Sequence, residues 1–139
     1  MNKFKESVAK SARMIWKVIP LIIGTILLVS LIISLIPQSF YLKIFQGNII
    51  LDPVIGSAIG SVSAGNPLVS YIIGGELLKQ GISLIAVTAF IVAWVTVGFV
   101  QLPAESVILG KRFALLRNLL SFIFAIIVAL ITVAIWEVI

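Results

Sequence analysis

The chain has 139 residues, of which 61% are apolar and 11% are charged, and its net charge is +5. Four uncharged apolar stretches, each long enough or nearly long enough to cross a bilayer, follow one another at Val18–Leu42, Pro53–Gly75, Gln80–Ala104 and Asn118–Trp136. This composition excludes a soluble domain and predicts an all-α polytopic membrane protein with three to five transmembrane helices. Cysteine and histidine are absent, so we expect no enzyme, no metal site and no cofactor.

The first segment, residues 1–17, is a basic amphipathic lead with lysine or arginine at Lys3, Lys5, Lys10, Arg13 and Lys17. No small-residue cleavage site follows it, so it does not resemble a signal peptide. It is predicted to be a cytoplasmic helix that leads into a single membrane domain, residues 18–139. Because the positive charges lie beside membrane segments, anionic lipid and membrane topology explain them better than nucleic acid does.

The distribution of basic residues predicts the orientation. Eight of the ten lie in the lead or at Lys111, Arg112 and Arg117, and the other two are Lys43 and Lys79. The positive-inside rule then gives a multi-pass protein of the cell membrane with a cytoplasmic N-terminus and an external C-terminus. Three crossings with a helical hairpin, or five crossings, both satisfy this count.

A broken pair of apolar helices is predicted between Asn48 and Lys79. One straight helix there would be about 45 Å long, well beyond a hydrocarbon core of about 30 Å. Helix-ending and helix-starting residues stand at Ala64-Gly65-Asn66-Pro67, and Asp52-Pro53 is predicted to cap the first arm. We expect a hairpin dipping into the bilayer or two short crossings, with the break buried and facing a polar cavity. A tight turn at the membrane surface is the alternative.

The next apolar block is predicted to span from Ile82 to about Gln101 and to continue as a short piece from Pro103 to Gly110. Together the two breaks supply the substrate-binding candidates, which are Ser61, Ser63, Gly65, Asn66, Pro67, Gln101 and Pro103. Glu105 is the coupling candidate, because it lies roughly 9 Å inward of Lys111 along a helix and has no basic neighbour in sequence. A helix-start role is the alternative for Glu105.

A stripe of small residues, Gly56, Gly60 and Ala64, recurs at four-residue spacing. Such stripes let membrane helices pack closely, so helix packing is the first interpretation. Lining of a substrate path, together with Ser57 and Ser61, is the second.

Residues 56–121 resemble the repeat unit of the predicted-permease family that includes the bacterial organoarsenical efflux permeases. The residues that carry the resemblance are G-S-V-S-A-G-N-P-L from Gly60, E-L-L-K-Q-G-I-S from Glu76, A-F-I-V-A-W from Ala89, Q-L-P-A-E from Gln101 and L-G-K-R-F-A-L-L-R-N from Leu109. The resemblance implies a permease fold with its site at the broken helices. Longer members carry two such units, so this chain resembles a half-length version. Many members have cysteines before the first break, where this chain has Ser61–Gly65, so the arsenical substrate is not implied.

These observations predict a permease or secondary transporter subunit that moves a small, unidentified solute or ion. One unit of this size does not enclose a pathway, so we expect a homodimer or a pair with an oppositely oriented paralogue. The alternatives are a non-transporting assembly or accessory subunit and a small channel. A transporter predicts a polar cavity lined by both breaks, whereas an accessory subunit predicts breaks that are packed and dry.

Overall fold

A computed structural model describes residues 2–63 and 65–139 of the chain. Over these residues it contains seven α-helices and no β-strand, which confirms the predicted all-α class. The helices are α1 (Asn2–Leu35), α2 (Gln38–Ile44), α3 (Leu51–Val62), α4 (Pro67–Lys79), α5 (Leu84–Thr96), α6 (Leu102–Leu109) and α7 (Lys111–Val138). Ala64, the third residue of the predicted small-residue stripe, lies outside the described residues.

Helices α1 and α7 are long and apolar enough to cross a membrane. Their 34 and 28 residues correspond to about 51 Å and 42 Å, against a hydrocarbon core of about 30 Å. Helix α1 buries only Val29 of the residues described in it, so it is not the core helix of a soluble domain. The exposed apolar surface of both helices favours a membrane-associated protein. Helix α1 also runs without interruption from the basic lead into the predicted first span.

The predicted break in the first helix pair is present. Helix α3 ends at Val62 and α4 begins at Pro67. The Asn66 side chain accepts a hydrogen bond from the Leu68 N–H at 3.0 Å and so caps α4, while Pro67 occupies the first turn, where no backbone donor is needed. Gly65 has a φ of 146°, a conformation that side chains other than hydrogen rarely permit.

Helices α3 and α5 pack against each other through their backbones. A Cβ atom on Gly56 would collide with the carbonyl of Ala86, and one on Gly60 with the carbonyl of Phe90. The two glycines therefore allow an approach that any larger residue prevents, as in other closely packed membrane helices. Because residue numbers rise together along this contact, α3 and α5 run parallel.

Helix α7 runs antiparallel to α5. Ala125 of α7 packs against Ala93 and Val97 near the end of α5, while Val133 of α7 lies beside Leu84 at its start. The residues that α7 buries are mostly small: Ala114, Asn118, Ala125, Ala129 and Val133. Small side chains on this face keep α7 close to the α3–α5 pair, while its larger apolar residues face outward.

The expectation that Asp52 caps the first arm is wrong. Asn48 accepts hydrogen bonds from the N–H groups of Ile50 and Leu51, at 2.9 and 3.3 Å. Asp52 lies inside the first turn of α3 and is only 1% exposed. Its carboxylate accepts from the N–H groups of Gln46 and Gly47, at 3.1 and 2.9 Å, and from the Ser83 hydroxyl at 3.4 Å. Asp52 thus joins the loop before α3 to the start of α5.

The predicted span from Ile82 to about Gln101 is also wrong in length. Helix α5 has 13 residues and ends at Thr96, so it covers only about 20 Å. Val97 adopts an extended backbone conformation, and the Phe99 N–H donates to the Ser61 carbonyl at 3.3 Å rather than to its own helix. Where the helical hydrogen bonds of α5 end, a hydrogen bond to the end of α3 therefore replaces them.

Candidate functional site

The two helix breaks meet. The end of α3 is tied to the segment after α5 by the Phe99–Ser61 backbone bond, and the Trp94 indole N–H lies 3.5 Å from the Gly65 carbonyl. Between the breaks is a cavity of about 140 Å³. The polar and glycine residues of the described lining are Ser63, Gly65, Trp94, Gly98 and Gln101, and three valines also belong to it. The parallel packing of α3 and α5 is what brings the breaks together, because both helices end at the same level.

Local packing holds the cavity open. The Trp94 ring packs edge-to-face on Phe90, with ring centroids 5.5 Å apart, so its position is supported from within α5. A Cβ atom on Gly98 would lie 3.0 Å from Oε1 of Gln101 and 3.6 Å from Nη2 of Arg117. Glycine at this position therefore leaves room for two polar side chains beside the break.

Glu105 has no basic neighbour in sequence, but the fold gives it a basic partner. Arg117 of α7 donates to both of its oxygens, from Nη2 to Oε1 at 2.6 Å and from Nε to Oε2 at 3.1 Å. Asn118 donates from Nδ2 to Oε2 at 3.2 Å. Gly110, with a φ of 91°, turns the chain between α6 and α7, so residues twelve apart in sequence become neighbours. Arg117 lies about 9 Å along α7 from Lys111, the same helical distance that the sequence predicts between Glu105 and Lys111.

The predicted site residues separate into three groups. Ser63, Gly65 and Gln101 line the cavity. Ser61 is buried beside it, where its hydroxyl donates to Ala58 and its carbonyl accepts from Phe99. Asn66, Pro67 and Pro103 lie at the starts of α4 and α6, are exposed, and do not line the cavity. Because Gly65 is exposed as well, the prediction that the first break is buried is wrong for the single chain.

Sequence reasoning missed four residues of this region: Trp94, Gly98, Arg117 and Asn118. Trp94 packs on Phe90, and it also lines the cavity. Asn118 is only 6% exposed, and its Oδ1 atom is buried without a hydrogen-bond partner among the described residues. Asn118 lies inside the apolar helix α7, and a polar amide in such a helix is a signal that could have been recognised, because such groups are expensive in a membrane.

The arrangement offers hydrogen-bonding groups at the cavity and an ion pair beside it. The Gln101 amide and the Trp94 indole supply a neutral acceptor and neutral donors at the cavity, and Glu105 with Arg117 forms a charged contact beside it. Within residues 2–63 and 65–139, no group of three acidic, histidine or cysteine side chains has a geometry that holds a metal ion.

No protein-family model, curated protein or solved structure matches this chain. The resemblance to the permease family therefore stays a prediction.

Proposed function

We propose that this chain is a subunit of a membrane permease, a secondary transporter whose solute binds between the two helix breaks. The observation that carries the proposal is the cavity of about 140 Å³ that both breaks line. Broken helices are rare in membranes because each exposes backbone groups that have no water to bind. Two breaks that converge on one cavity are typical of transporter binding sites.

The contacts between helix ends support a re-entrant hairpin for α3 and α4. The Gln38 side chain, just after α1, donates to the Gln80 carbonyl at the end of α4, and Asp52 near the start of α3 contacts Ser83 at the start of α5. The hairpin therefore begins and ends at one level. Its arms of 12 and 13 residues are about 18 to 20 Å long, too short to cross about 30 Å of hydrocarbon.

We propose three crossings on this basis: α1, the broken pair α5 and α6, and α7. The basic residues of the lead and of the start of α7 lie on one side under this topology, which gives a cytoplasmic N-terminus and an external C-terminus. The protein is then a multi-pass component of the cell membrane, with the tip of the hairpin pointing toward the cytoplasmic side.

A second subunit completes the proposal. Gly65, Asn66 and Pro67 are exposed in the single chain, so polar backbone at the break lies on the surface. Exposed irregular backbone is stable at membrane depth only when protein or a water-filled cavity covers it. A second copy, or an oppositely oriented paralogue, would provide this cover and the other half of the pathway.

Glu105 retains its proposed role in coupling, with Arg117 as the partner that the sequence did not suggest. Protonation of the carboxylate would weaken the paired contact between α6 and α7, next to the cavity. A proton or cation that competes for Glu105 would thereby change the second break. This links ion movement to solute release without any group that forms covalent bonds.

A reconstituted-flux experiment tests the permease proposal. The full chain is placed in proteoliposomes, and entry of small solutes is followed by light scattering after an osmotic step. Gly98→Ala adds a methyl group next to Gln101, whose flexible side chain can yield, so the fold should survive while flux falls severalfold. Gly75→Ala is the matched control, because nothing lies within 4 Å of its added Cβ.

An accessory subunit predicts a different result. Its breaks would serve only packing, so proteoliposomes with the parent chain would match protein-free liposomes for every solute. Equal flux in the Gly98→Ala and Gly75→Ala proteins would likewise remove the cavity from the pathway. Flux that is fast, unsaturable and indifferent to solute identity would indicate the small channel instead.

A further inference from the structure

We infer that the cavity between the breaks takes a small uncharged polar solute and not an ion, an inference that rests on the proposed permease function. Its lining provides the first argument. Ser63, Trp94 and Gln101 are the polar side chains, the rest of the lining is valine and glycine, and no charged side chain belongs to the described lining. An ion that left water for this cavity would meet dipoles but no opposite charge, at the cost that an uncompensated buried charge carries.

The nearest charges do not change this conclusion. The Nη2 atom of Arg117 lies near Gly98 at the second break. However, Nη2 and Nε both donate hydrogen bonds to Glu105. Because Arg117 and Glu105 form a bidentate ion pair, the positive and negative charges largely cancel each other's electric field at the cavity. An anion in the cavity would have to displace Glu105 from Arg117, and a cation would have to draw Glu105 away. A neutral solute requires neither change.

The helix ends around the cavity are also balanced in sign. Helices α3 and α5 end there, so they present the partially negative carbonyl end of each helix. Helix α6 begins at Gln101 in the lining and α4 begins beside the cavity, each with its partially positive amide end. Helix ends of a single sign would attract an ion of the opposite sign. A mixed set of ends matches a molecule that has both donors and acceptors but no net charge.

The polar side chains suit such a molecule. The Gln101 amide both donates and accepts, and at 3.5 Å the Trp94 indole N–H is held only weakly by the Gly65 carbonyl, so it can turn to a solute oxygen.

The volume of the cavity limits the size of the solute. The cavity of about 140 Å³ is close to the engineered protein cavity of about 150 Å³ that holds benzene. The solute is therefore a compact amide, urea-like compound or polyol about the size of glycerol.

Tryptophan fluorescence tests this class directly. Trp16 and Trp136 are 77% and 72% exposed, so replacing both with phenylalanine leaves Trp94 as the sole reporter without disturbing the packing. The full chain in lipid nanodiscs is titrated with two neutral probes, acetamide and urea, and with their ionic counterparts of the same shape, acetate and guanidinium, at constant ionic strength. Glucose, twice the size of glycerol, serves as the oversized neutral probe.

We expect at least one neutral probe to shift Trp94 emission saturably, at a concentration tenfold or more below that of its ionic counterpart, and glucose to cause no saturable shift. Gln101→Leu should weaken the binding of the neutral probe at least fivefold. Gln46→Leu, the same change outside the cavity, should leave this binding unaltered. Any of four results would overturn the inference. These are a preference for the neutral probe below tenfold, saturation by neither neutral probe, saturation by glucose, and an unchanged response in Gln101→Leu.

Flux of the same probes separates this inference from the permease proposal. Selective binding of the neutral probes without any flux above protein-free liposomes would leave the cavity assignment intact and remove the transport function. Flux that favours acetate or guanidinium would keep the transport function and overturn the neutral class.

Discussion

The α3–α5 pair ends in two different ways. The closed end, formed by Gln46, Gly47, Asp52 and Ser83, has a buried carboxylate that collects three hydrogen bonds from a loop and the start of α5. The break end, formed by Ser63, Gly65, Trp94, Gly98 and Gln101, has a cavity and a long indole bond of 3.5 Å. The same two helices therefore join an end whose carboxylate is fully hydrogen-bonded to an end whose indole N–H is only weakly bonded.

This difference separates stability from ligand access. At the closed end the Asp52 carboxylate and its three donors satisfy one another, and these bonds add rigidity. At the break end the Trp94 indole N–H is loosely bonded and can exchange partners. The glycine contacts at Gly56 and Gly60 connect the two ends and hold the helices at a fixed spacing. Substitutions in the three regions should therefore have effects of different size and kind.

The largest effect is expected in the glycine contact. Gly60→Leu would drive a side chain into the Phe90 backbone, which cannot move aside as a flexible side chain can. The two helices would separate along their length, and we expect a loss of about 3 kcal/mol in the free energy of unfolding. Reversible unfolding by added SDS in mild detergent measures it. Gly75→Leu, which enters open space, is the control, and equal stability of the two variants would contradict the close packing.

A smaller effect is expected at the closed end. Asp52→Ala leaves the Gln46 and Gly47 N–H groups without their acceptor, and we expect a loss of about 2 kcal/mol. Asp52→Asn retains one acceptor oxygen and should lose less. Because the closed end and the break end share no partners, the titration of Trp94 with acetamide and urea should not change. A shift in that titration would show that the two ends are coupled.

The smallest effect on stability is expected at the ion pair beside the break end. The side chains of Arg117 and Glu105 are 36% and 20% exposed, so solvent screens the pair, and Arg117→Gln should cost only about 1 kcal/mol. Glu105→Gln should keep the fold, since an amide still accepts from Arg117. A double-mutant cycle with both substitutions measures the coupling, and an additive cycle would mean that the pair contributes nothing.

The same Glu105→Gln variant has a larger expected effect on transport. It should abolish gradient-driven flux, or the dependence of flux on pH, at expression equal to the parent. Unchanged flux and an unchanged pH profile would reduce Glu105 to a residue that starts α6. The proposed site would then consist only of the cavity between the breaks.

Much of the candidate site could be predicted from sequence because local residue chemistry specifies helix ends. Gly65, Asn66 and Pro67 mark a helix stop and start by backbone conformation and capping, and the structure ends α3 and starts α4 around them. The early end of α5 at Thr96 could not be predicted in this way. Its apolar sequence continues, and the contact that replaces its helical ladder comes from Ser61, on another helix.

The amino-acid sequence by itself determined the all-α class, the two helices long enough to cross a membrane and the position of the first break, because each depends on hydropathy, length or residues adjacent in the chain. Only the tertiary structure decided that the two breaks meet, that Asp52 joins a loop to α5, and that Arg117 neutralises Glu105. These contacts connect residues between twelve and thirty-eight positions apart. They form because glycine lets α3 and α5 pack in parallel and because Gly110 turns α7 back onto α6, and no local pattern encodes either arrangement.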